Sequence, residues 1–156
     1  MHVRRFRTMW PMVAAVCLAA AGCGGGDKTS AVGYNTRMVT FPNGTKIRAE
    51  LAIQPPDVMR GMKFRDALPE DEGMLFVHQK EGKYPYWMYE VKVPLDMIWM
   101  DRQHTVVQLV HKVPPCPGPQ EKCMSYGGGF NAAYVLEVAA GVAAKNNIKP
   151  GMTLDF

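Results

Sequence analysis

Between Val93 and Met100 the chain reads VPLDMIWM, an apolar run broken only by the carboxylate of Asp96. In an extended strand Leu95, Met97 and Trp99 share one face, and Asp96, Ile98 and Met100 share the other. Both faces are apolar enough to be buried. A buried carboxylate is costly unless a base or hydrogen-bond donors meet it. The fold must therefore bring Asp96 a partner, and Arg60 and Arg65, whose planar forks suit bidentate carboxylate binding, are the nearest candidates.

Turn signals cut the surrounding sequence into short extended pieces. Met38 to Phe41 and KIRAELAI (46–53) flank Pro42-Asn43-Gly44 and predict a hairpin. Pro55-Pro56-Asp57 opens a short helix through DVMRGM, with Gly61 as its stop. MLFVH (74–78) is a strand, and QKEGKYP after it reads as a loop. Tyr86 to Met100 holds two extended pieces parted by Pro94, which cannot donate to a ladder. Thr105 to Val113 and Tyr134 to Val138 are further strands, AAGVAAKNN is a turn of helix, and MTLDF closes the chain as a strand. Many short strands with little helical pattern predict a mainly β domain, a compact jelly-roll-like sandwich or barrel with one or two short helices.

The first 22 residues carry a different message. Arg4, Arg5 and Arg7 precede an apolar stretch that ends Ala20-Ala21-Gly22-Cys23, the order of a lipoprotein-type export signal. We expect cleavage before Cys23, a lipid on its thiol, and a flexible glycine-rich linker over 23–36, leaving a single domain over 37–156. The expected location is the bacterial cell envelope, with the domain in the periplasm or outside the cell, and the membrane as a partner through Cys23. If the cell has two membranes, Gly24 in place of an aspartate favours the outer one. Removing the signal takes three arginines from 18 basic residues, leaving 15 against 14 acidic ones. A charge near neutrality gives no electrostatic footprint for nucleic acid.

Cys116 and Cys123 are the only cysteines of the expected domain. An oxidising compartment and the turn-forming PGPQEK between them predict a disulfide. With His111 they would still be one ligand short of a structural zinc site, so no metal or other cofactor is implied. Met59-x-x-Met62 and Met97-x-x-Met100 have a spacing used by soft metals. On a strand, however, Met97 and Met100 point to opposite faces, and core filling is the reading we adopt. His78, His104 and His111 show no metal spacing and are placed by default at the surface or strand edges.

RGMKFRDALPEDEGMLFV, WM…VPLDMIWMD, PPC…C…Y and YVLEV…G…IKPG together resemble domain-of-unknown-function family number 192, from about Ile47 to Phe156. The resemblance implies a compact β-rich, often exported domain and lends no activity. The family pattern falls on Arg60, Arg65, Trp87, Asp96, Tyr134 and Glu137, among others. Two departures stand out: Tyr89-Glu90-Val91 replaces a usual Lys-Asn-Thr run, and Met152 replaces an acidic residue.

Glu137, in the strand YVLEV beside Val135 on its face, is a second carboxylate in apolar company. One reading makes Asp96 and Glu137 structural, paired with Arg60 and Arg65 or accepting backbone N–H bonds, in a purely structural or assembly lipoprotein. Another places them in one cleft with Tyr86, Trp87 and Tyr134 as an aromatic floor, binding a small polar ligand such as a saccharide, or an envelope partner. A third makes them the acid and base of an envelope hydrolase. Candidate ligand-binding residues are thus Asp96, Glu137, Arg60, Arg65, Trp87 and Tyr134, with no catalytic residue assigned.

Overall fold

A computed structural model describes residues 35–156. The expected signal peptide, the lipidation site Cys23 and nearly all of the 23–36 linker lie outside the described residues.

The hairpin forms where the turn signal stands. Strands β1 (Thr36–Thr40) and β2 (Lys46–Ala52) pair antiparallel, Thr40 opposite Lys46. Gly44 takes a φ of 86° in the turn, a backbone state that glycine adopts without steric cost. Helix α1 (Pro55–Arg60) follows, with prolines at its first positions, where the missing N–H groups are not needed. It stops at Gly61 (φ 49°), whose N–H donates to Asp57 O at 2.8 Å.

The chain then returns as β3 (Glu72–Gly82), parallel to β2. This strand is longer than the sequence pattern implies, since Gln79 to Gly82 were expected to be loop. These residues are largely exposed, so no apolar alternation marks them. They are held by polar contacts from Arg102: its guanidinium donates to Gln79 O at 2.8 Å, and its N–H donates to Glu81 Oε1 at 2.9 Å. Strands β4 (Pro85–Trp87), β5 (Leu95–Met100), β6 (Val106–Val113), β7 (Ser125–Gly127) and β8 (Ala132–Ala139) complete the set, with a second short helix, α2 (Val142–Lys145). The main sheet has six strands in the order β1-β2-β3-β8-β5-β6, and β4 and β7 form a small second sheet.

The main sheet buries both faces. On one, Val39, Ile47, Leu75, Leu136, Ile98 and Val106 form a core drawn from all six strands and closed by Val142, Ile148 and Leu154. On the other, Met74, Phe76, Val135, Met97 and Trp99 pack beneath Met62, Met88 and Val91 and the small sheet. Trp99, fully buried, donates its indole N–H to Tyr84 O at 2.8 Å. Gly127 allows the small sheet to lie against that indole. A Cβ at this position would sit 2.2 Å from Trp99 Cζ2, and the backbone φ there is 72°.

The architecture is the predicted β-rich one in its sandwich-like form; the sheet is not a closed barrel. The C-terminal segment spans its two edges at one end. Val106 N–H donates to Met152 O at 2.7 Å, and Thr40 and Asp155 exchange backbone bonds of 2.7 and 3.0 Å. Cys116 and Cys123 form the expected disulfide, and Cys116 N–H donates to Met88 O at 3.3 Å. The disulfide closes the loop after β6, and the Cys116 hydrogen bond ties that loop to the segment that follows β4.

Candidate functional site

Alternation along β8 puts Glu137 on the face that carries Met74, Phe76 and Trp99. Its direct cross-strand neighbours are Met74 on β3 and Met97 on β5, both fully buried. Glu137 is 3% exposed, and among the described residues no hydrogen bond or ion pair reaches its carboxyl group. Burial pushes its pKa from 4.5 up to about 8, against the opposing pull of the Arg65 guanidinium. At neutral pH the group is therefore mostly a neutral acid, able to donate as well as accept.

A cleft of about 250 Å³ opens above it. The sheet supplies the floor with Glu137, Phe76 and His78. One wall is the exit of α1, with Met59, Arg60 and Lys63; the facing wall is β4 and the turn after it, with Tyr86, Trp87 and Tyr89. Tyr86 lies edge-on to Phe76 with centroids 4.9 Å apart, and its hydroxyl is 3.1 Å from His78 Nε2. The His78 ring is stacked on Tyr84 at 3.5 Å. Burial lowers the His78 pKa. Burial also raises that of Tyr86, and the electrostatic influence of nearby Glu137 and Tyr84 adds to it. Both groups stay neutral, so the cleft floor holds polar atoms without fixed charge.

Charge is concentrated at the rim, and each cation there has an acid. Lys63 Nζ is 3.2 Å from Glu90 Oε2 and 5.2 Å from the Tyr89 ring centroid. Arg60 is 3.4 Å from Asp57. The rim backbone is strained: Phe64 and Glu90 hold φ of 65° and 62°, and Phe64 N–H donates to Glu90 O at 3.0 Å. Non-glycine residues in this region cost on the order of 1–3 kcal/mol and cluster where a binding surface is held open.

The remaining predicted site residues separate. Among the described residues Asp96 has no arginine partner. It lies fully buried on the opposite face of the sheet from Glu137, beside Val138 rather than Met97. Lys112 N–H donates to Oδ1 at 2.8 Å, Gly141 and Ala143 N–H donate to Oδ2 at 2.9 Å each, and His111 Nδ1 is 3.7 Å away. Asp96 thus satisfies otherwise orphaned donors where the chain enters α2. Arg65 instead forms a bidentate pair with Glu50, at 3.0 and 2.6 Å. Tyr134 leaves the expected aromatic floor as well. It packs edge-on to Phe156 and His104 on the far face, at 5.2 and 5.1 Å. Of the six candidates, Glu137, Arg60 and Trp87 share the cleft, with Arg65 acting on Glu137 through its charge.

Residues 38–156 match the pattern of the uncharacterised ACR family DUF192. The chain belongs to DUF192. A solved structure from Sinorhizobium meliloti 1021, described as a candidate transcription regulator, is 26% identical to this DUF192 chain. That match covers 80% of this chain and 95% of the other, with a TM-score of 0.69. A protein of unknown function from Novosphingobium aromaticivorans DSM 12444 is also 26% identical, over 83% of this chain and 90% of its own, again with a TM-score of 0.69. No curated protein matches the sequence.

Sequence reasoning missed His78, Lys63 and Tyr89 of the DUF192 cleft. His78 had a signal: it follows Met74 and Phe76 at the strand period and so falls on their face. Lys63 and Tyr89 had none, because their roles depend on α1 and the post-β4 turn meeting across the sheet.

Proposed function

We propose that this chain is a lipid-anchored domain of the cell envelope that binds a small polar ligand in the cleft between α1 and β4. The observation that carries the reading is Glu137. Its carboxyl group lies at the floor of an open cleft, largely desolvated and with no protein hydrogen bond among the described residues, so a ligand that bonds to it recovers part of the cost of burying it. Aromatic side chains at Tyr86, Trp87 and Tyr89 offer flat apolar contact, and the rim pairs Lys63–Glu90 and Arg60–Asp57 offer polar contact at the mouth. Export supplies the setting: Ala21, Gly22 and Cys23 have the sizes and order that a lipoprotein signal requires.

Hydrolysis by an Asp96 and Glu137 pair is not part of the proposal. Two carboxyl groups on opposite faces of one sheet cannot flank a single scissile bond.

The test is a thermal-shift and calorimetric screen with monosaccharides, amino acids, dicarboxylates and small amines, run on the wild type, Glu137→Gln and Trp87→Ala. Binding that weakens at least tenfold in both variants supports the cleft. If no probe binds, or if hits bind both variants as well as the wild type, the proposal fails.

A further inference from the structure

The ionic inventory around the cleft narrows the ligand class, on the basis that the cleft binds a ligand at all. Every cation near it has its own acid. Arg60 stands by Asp57, Lys63 by Glu90, and Arg65 is held bidentate by Glu50. Burial keeps His78 neutral and Tyr86 protonated. Glu137 is left as the acid in excess, 3% exposed and without an ion pair among the described residues. Around it stand Phe76, Tyr86, Trp87 and Tyr89, whose ring faces attract cations. One wall already shows this preference, since the Lys63 ammonium lies 5.2 Å from the Tyr89 centroid.

We propose that the cleft binds a monovalent organic ammonium, such as a quaternary or N-methylated headgroup, with Glu137 as its counter-ion and the aromatic side chains as its walls. Once Glu137 has lost its proton, a neutral ligand would leave the carboxylate uncompensated, and an anion would be repelled by it. A weakly hydrated organic cation loses less on entering an apolar cavity than a metal ion or a primary ammonium does. Volume is compatible: about 250 Å³ is room for roughly eight waters at ~30 Å³ each. Binding requires the ionised carboxylate, so the incoming cation displaces the Glu137 proton to solvent. Charge in the cleft then balances: the carboxylate and the ammonium cancel, and the three neighbouring ion pairs remain as they were.

Choline is the probe, set against its uncharged carbon isostere 3,3-dimethylbutan-1-ol. Both are titrated calorimetrically into the full chain carrying Cys23→Ser, which removes the lipid. Choline should bind at least tenfold tighter than the isostere and release close to one proton, read from the enthalpy difference between two buffers. Its affinity should rise about tenfold per pH unit until the Glu137 pKa is reached. Glu137→Gln should erase the preference for choline without unfolding the chain. Equal binding of choline and the isostere, or choline affinity indifferent to both pH and Glu137→Gln, overturns the ammonium assignment.

The two proposals fail separately. A saccharide that binds in a Trp87-dependent way where choline does not would leave the cleft standing and remove the ammonium. Failure of every probe removes both. Vesicles distinguish the source of the ammonium: co-sedimentation with phosphatidylcholine but not phosphatidylglycerol identifies a lipid headgroup, and choline binding without it identifies a free solute.

Discussion

Replacing Glu137 with glutamine keeps the side chain's shape and hydrogen-bonding capacity but removes its titration. The pKa is about 8 in the folded state, against 4.5 for the free side chain. Below the lower value the acid is protonated in both states and has no effect on stability. Between the two, the unfolded chain releases its proton while the folded chain keeps it. The wild type therefore loses about 1.4 kcal/mol per pH unit across that window. By pH 7 the loss is about 3 kcal/mol, and above pH 8 it levels off near 5 kcal/mol. Glutamine is exempt from this loss. The variant should match the wild type at about pH 4 and exceed its stability by about 3 kcal/mol at pH 7, a gain on the order of 10 °C in Tm. Urea denaturation of both proteins at several pH values measures the difference directly, and the slope m should be unchanged. A variant that is less stable than the wild type throughout, or a difference that is flat with pH, would refute the neutral-acid reading. A residue that is stabilising to remove but needed for binding is a mark of function.

Other outcomes follow from the same geometry. Asp96→Asn turns an amide donor toward the backbone N–H groups of Lys112, Gly141 and Ala143. It should cost about 2–4 kcal/mol in chemical denaturation while leaving ligand binding in the Glu137 cleft unchanged. Replacing Cys116 and Cys123 by serine opens a ring of sequence separation seven. By chain entropy this should lower stability by about 2–3 kcal/mol, a loss that reducing agent reproduces in the wild type but not in the double variant. In cells, Cys23→Ser should abolish labelling by a lipid precursor and release the protein from membranes, and continued membrane attachment would refute the anchor.

The period of the sequence legibly set which residues share a face. VPLDMIWM divides as read, with Met97 and Trp99 under the small sheet and Ile98 and Met100 in the other core. Glu137 likewise stands beside Val135, as its alternation requires. Pro42-Asn43-Gly44, the two prolines of α1 and Gly61 marked their turns correctly, because φ restrictions act within a few residues. These are local properties, and each strand carries its own two faces wherever it is finally placed.

What the sequence did not contain was which face of one strand would look toward which face of another. Asp96 and Glu137 are similar carboxylates in similar apolar runs, and nothing within either run distinguishes them. The antiparallel register of β5 on β8 sets Met97, not Asp96, opposite Glu137 and so puts the two acids on opposite sides of the sheet. The entry to α2 then supplies Asp96 with N–H donors, and α1 and the turn after β4 leave Glu137 a cavity. Side-chain direction is decided by bonds two residues apart. A partner is decided by segments some 45 residues apart, as for Asp96 and Gly141, and only the packed sheet brings those together.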